Sequence, residues 1–131
     1  DVLSHQHMRQ VWFCGVHTDI GGGYKEHGLS DIPLAWMVQK AAAHGLKFQK
    51  GHQVKITPNI NGEMHDSRKG FPACFYRKQK RSFNPGKHLS GSGQKIKPVI
   101  HKSVLQRKLN RNNKSTPPYF PWILHHDYDV S

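Results

Sequence analysis

A nearly unbroken apolar run, QVWFCGV at residues 10–16, gives way at once to HTDIGGGYKEHG and then to a well-signalled helix. That order constrains the fold more than any other feature of the chain. Strands apolar on both faces, rather than alternately, belong to parallel sheets covered by helices on each side. The pattern predicts a strand over 10–16 buried on both faces. The segment after it reads as loop, because three successive glycines free the backbone for positive φ and close approach. A helix is predicted from Ser30, with Ser30 as cap, Asp31 at the positive end of the dipole and Pro33 in the first turn. Leu29 and Leu34 stand at the positions of a hydrophobic staple, and Gly45 ends the element. Strand, loop and helix make a βα unit, so the fold class is α/β.

Beyond Gly45 the signals thin out. One short strand is expected at Gln53–Thr57, with turns at Pro58 and Asn61-Gly62. Residues 71–98 mix glycine, serine and proline with charge and read as largely irregular, and His101–Leu109 as a short helix with Ser103 near its start. The closing STPPYFPWILHHDYDVS suggests an extended arm packing Tyr119, Phe120 and Trp122. The chain divides into 1–49, a closing βα unit, and 50–131, a basic extension of the same domain. At 131 residues and a mean hydropathy of -0.74, one economical core is what such a chain can bury. No stretch approaches the roughly 18 apolar residues of a membrane span, and DVLSHQHMRQ lacks the layout of an export signal. Cys14 and Cys74 form no CxxC pair, and Cys14 reads as a reduced, buried small side chain.

Charge is unevenly spread. From Ser67 to His126 there are fourteen Lys or Arg and no Asp or Glu, more than the whole formal charge of +12. Such a stretch attracts phosphate groups on nucleic acid or anionic lipid without specifying either, and reads equally as a solvated basic tail.

His17, directly after the apolar run, has three readings on spacing alone: proton carrier, metal ligand or ordinary loop residue. In one α/β arrangement the triad runs serine, acid, histidine along the chain, and the histidine hangs on the loop after the last strand. His5-x-His7 and His125-His126 lack helical spacing or a cysteine partner, so no metal and no cofactor is expected. The glycines lack the GK[ST] ending of a P-loop.

VWFCGVHTDIGGGYKEHGLSDIPLAWMVQKA, residues 11–41, resembles the signature that closes the catalytic domain of type VI secretion phospholipase effectors, an α/β-hydrolase family. Residues 62–71, 100–108 and 117–124 are similar to later family segments, in the family's order. The resemblance implies the C-terminal fragment of an α/β-hydrolase, a serine-type esterase acting on phospholipid ester bonds. In it His17 is the triad histidine. Asp19 accepts amides from the glycine run and, with Gly21, Gly22 and Gly23, supports the loop. His65-Asp66 and His101 are read as polar contacts beneath that loop and not as catalytic.

One departure matters. The chain has no GxSxG elbow, and no acid lies upstream of His17 in the required order. The closest string, SGSGQ, follows the histidine and has the wrong spacing. The expectation is a chain inactive on esters alone, partnered by the upstream half of the hydrolase domain. A bacterial cytoplasmic origin without a cleaved leader, delivery by type VI secretion, and contact with that apparatus or an immunity protein are implied by the resemblance. The rival reading is a small basic protein gripping nucleic acid or anionic membrane, with aromatics at 71, 75, 76, 83, 119, 120 and 122 stacking on bases. It leaves GVHTDIGGGY unexplained, so nucleic acid ranks behind lipid as a partner.

Overall fold

A computed structural model of the chain describes residues 9–49, 55–66, 97–110, 121–125 and 128–131. Three strands, β1 (Val11–Trp12), β2 (Val99–Ile100) and β3 (Asp129–Val130), form one parallel sheet in the order β1-β2-β3. Val11 pairs with Val99 and Trp12 with Ile100; Val99 pairs with Asp129 and Ile100 with Val130. The ladder runs on past the strands. The His101 amide donates to the Trp12 carbonyl at 2.9 Å, and the Ser131 amide to Ile100 at 2.8 Å. Helices α1 (His17–Gly21), α2 (Asp31–Ala43) and α3 (Lys102–Leu109) follow the strands, and a single 3₁₀ turn spans Trp122–His125.

The α/β class predicted from the sequence is what the structure has. Its details differ in instructive ways. Residues 10–16 are not the last strand, because β2 and β3 follow. Pairing in β1 stops at Trp12, where the chain bends through Gly15 at φ +131° to enter α1. Both residues of β1 are half-buried, since the strand lies at the edge of the described sheet. Part of the expected glycine loop is helical, over His17–Gly21. No strand covers 55–57, because the Thr57 amide donates to the Asp31 carboxylate at 2.7 Å instead of to a ladder. The expected strand residues 53 and 54, the irregular segment 71–96, Cys74, Tyr119 and Phe120 lie outside the described residues.

Helix α2 begins and ends where its signals put it, by partly different means. Ser30 occupies the N-cap position, but its hydroxyl donates backwards to the His27 carbonyl at 3.0 Å. Leu29 is buried, whereas Leu34 is 40% exposed, so the two do not form a closed staple. At the other end Gly45, at φ +86°, lets its amide reach the Ala42 carbonyl and that of Leu46 the Ala41 carbonyl. That left-handed turn closes the last carbonyls of the helix.

The core is small and sits where β2 meets α3. Ile100 is fully buried and packs with Cys14, Val104 and Ile123, flanked by Trp12, Leu105, Leu124 and Tyr128. Cys14 is buried, and its thiol donates to the Met64 sulfur at 3.9 Å. Arg107 of α3 is buried and its guanidinium donates to the carbonyls of Ile60 and Gly62, fastening segment 55–66 against the helix. Asp31 holds the other side of that segment through Thr57. The two anchors fix the loop that carries His65.

Candidate functional site

Parallel α/β sheets place their chemistry at the carboxyl ends of the strands, because the loops there converge on one edge. Here that edge receives the turn after β1, which leads into α1, and the turn after β2, which begins with His101. Phe13 joins the two, stacking on the His101 ring at a centroid distance of 4.8 Å and meeting Trp36 of α2 edge-on at 5.7 Å.

The centre of the site is a buried carboxylate. Asp19, at the third position of α1, reaches back so that its Oδ2 accepts the Val16 amide at 3.0 Å. The same oxygen accepts the His65 amide at 3.2 Å, and Oδ1 faces His65 Nδ1 at 2.7 Å. The Asp19 side chain is 1% exposed and that of His65 is 18% exposed. A carboxylate can only accept, so Nδ1 carries the hydrogen and donates it, and in the neutral ring Nε2 then holds the lone pair. The ring is also pressed against Tyr24, stacked at 3.7 Å with an interplanar angle of 18°. Position and rotation of this imidazole are set by its neighbours.

The sequence-derived candidates fall differently. His17 opens α1 and is exposed, and among the described residues its side chain makes no hydrogen bond or ion pair. The amides that Asp19 accepts belong to Val16 and His65, not to Gly21, Gly22 or Gly23. Gly22 and Gly23 carry the chain out of α1 at positive φ. His65 was expected as a polar contact beneath this loop, and its two bonds to Asp19 make it one.

Two further histidines have their own partners. His27 Nδ1 lies 2.8 Å from Asp31 Oδ2. Burial raises the Asp31 carboxyl, but the Thr57 amide, His27 and the Thr57 hydroxyl together bring it below its ordinary value of 3.8. His101 caps α3: its Nδ1 accepts from the Ser103 hydroxyl at 2.8 Å and from the Ser103 amide at 3.3 Å. Burial, with Lys102 adding repulsion, holds it below its ordinary 6.5. Both groups lose protons more readily folded than unfolded, so both stabilise the fold at higher pH. His101's contribution is complete above 6.5 and declines as pH falls below it. Asp31's is complete above 3.8 and is lost as pH falls through its folded value. Melting temperatures should therefore drop in two stages on acidification, and His101→Asn, which keeps a capping acceptor, should remove the first stage alone.

Beside the glycine run lies an open, mostly apolar groove of about 530 Å³, between β1, α1 and α2. Phe13, Ile20, Pro33, Leu34 and Met37 line it, with Arg9 contributing a cation. The acid-free stretch falls largely outside the described residues, at 67–96, 111–120 and 126. Its described part includes Lys97, Lys102, Arg107 and Lys108.

Comparison with known proteins gives short local matches. A 47-residue stretch is 38% identical to the uncharacterized protein YEL023C of Saccharomyces cerevisiae, covering 32% of this chain and 7% of the yeast protein. No solved structure matches the chain. The family model described as T6SS, phospholipase effector Tle1-like, catalytic domain matches residues 2–40, which include β1, α1 and most of α2 but neither Glu63 nor His65. The signature read at residues 11–41 falls, as far as Lys40, within the stretch that is similar to this family.

Proposed function

We propose that this chain supplies the acid–base part of a serine-type esterase acting on phospholipid ester bonds, with His65 as general base and Asp19 as the group that orients it. The carrying observation is the 2.7 Å contact between a buried carboxylate and Nδ1 of the ring, which leaves Nε2 as the nitrogen that does not face the acid. In such a relay Nε2 takes the proton of the attacking hydroxyl and returns it to the leaving alcohol, while the carboxylate stays ionised and stabilises the imidazolium between the two steps. The family match at residues 2–40 supports lipid as the substrate and type VI secretion as the delivery route. The apolar groove beside α1 is of a size and lining suited to an acyl chain. No helix among the described residues is long and apolar enough to cross a membrane.

The nucleophile comes from elsewhere. With no GxSxG in the sequence, the serine and the oxyanion donor after it belong to the upstream half of the hydrolase domain, so this chain is the C-terminal portion of that catalytic unit. The purified chain should hydrolyse a short acyl ester no faster than buffer, and co-expression with a GxSxG-bearing segment of a family member should restore turnover. Hydrolysis by the chain alone that survives His65→Gln would overturn the reading.

A further inference from the structure

The relay uses one face of His65 and leaves two neighbouring acids unexplained. Glu26 and Glu63 each place a carboxylate oxygen near the imidazole, and the three donor atoms lie within 4.8 Å of one another. Like charges that close repel. The ion pairs His27–Asp31 and His65–Asp19 involve neither glutamate. A cation held between the two carboxylates and the ring would offset their repulsion.

The histidine favours one kind of cation. Its Nδ1 is engaged by Asp19, so Nε2 is the nitrogen left to bind, and a carboxylate behind a ligating imidazole is the usual second layer of a zinc-type site. Stacking on Tyr24 fixes the ring in place before any ion arrives. Ligand bonds of roughly 2.0–2.2 Å need donor atoms closer than 4.8 Å, and the two exposed glutamates can rotate inward to meet that need. One imidazole and two carboxylates suit first-row divalent ions better than calcium, which prefers six or more oxygens. No motif spacing announced the site, because its members are 37 and 2 residues apart along the chain.

We propose that Glu26, Glu63 and His65 form a binding site for a first-row divalent cation of the zinc type. Resting on the relay reading above, the site has a regulatory consequence: an ion on Nε2 occupies the lone pair that would take the proton, so bound metal switches the base off.

Binding can be measured without any ester chemistry. Zinc titrated calorimetrically into the full chain should show a site whose affinity falls at least tenfold in Glu26→Gln/Glu63→Gln. Both positions are exposed, so circular dichroism should show that variant folded as the parent is. Zinc should also shift the His65 imidazole resonances, with calcium leaving them in place. The chain holds eleven histidines, so zinc binding that is equally tight in the double variant would assign the ion to other residues and overturn the proposal. Unmoved His65 resonances would do the same. Binding as expected in a chain that no upstream segment renders active would sink the esterase reading and leave the metal site standing.

Discussion

In the enzyme reconstituted with a serine-bearing segment, His65→Gln should lower kcat/KM by at least about a thousandfold, while His17→Ala should change it by less than about threefold. The contrast is large because the two histidines differ in everything a general base requires. His65 has a buried acid on Nδ1 and a stacked ring; His17 is exposed and held by nothing described. Asp19→Asn provides the internal check. An amide in place of the carboxylate still fills the space, but offers one acceptor where the acid offers two. The imidazole then loses its orienting partner or takes the other tautomer, and a loss on the order of 10⁴-fold is the precedent for that change. Steady-state kinetics on a soluble ester measures all three. The reverse ranking, with His17→Ala inert and His65→Gln active, would return the base to the first turn of α1.

His65 was legible as a polar contact beneath the loop, but its pairing with Asp19 was not, because the bond joins residues 46 apart along the chain and local periodicity reports no contact of that range. What was legible was local: where α2 begins, the glycine that ends it, and the α/β class implied by an unbroken apolar run before a helix. β2 and β3 were not legible, because two paired residues are too few to show a period. Their identity as strands comes from lying beside β1 in register. The Thr57 segment was misread for a related reason. Its β-prone composition was real, but Asp31 offered its amide a charged acceptor, and a buried carboxylate competes well against a ladder carbonyl.

Gly15→Ala should be the most damaging small substitution in the site. At φ +131° an alanine is strained in the backbone itself, at a cost of roughly 1–3 kcal/mol. Its methyl would also stand 2.5 Å from Cβ of Asp19, closer than two carbons can approach, which adds roughly 1–3 kcal/mol of overpacking or forces α1 to move. Together these predict a fall in melting temperature of about 10 °C. Gly21→Ala is the matched control: nothing lies within 4 Å of the added carbon and its φ is ordinary, so the effect should stay within about 0.5 kcal/mol. Because the clash falls on the very side chain that holds His65, the Gly15 variant should lose esterase turnover and zinc affinity together, even at temperatures where it is still folded. A Gly15→Ala chain as stable as Gly21→Ala would mean that the turn between β1 and α1 does not have the tight geometry on which the Asp19–His65 pair depends.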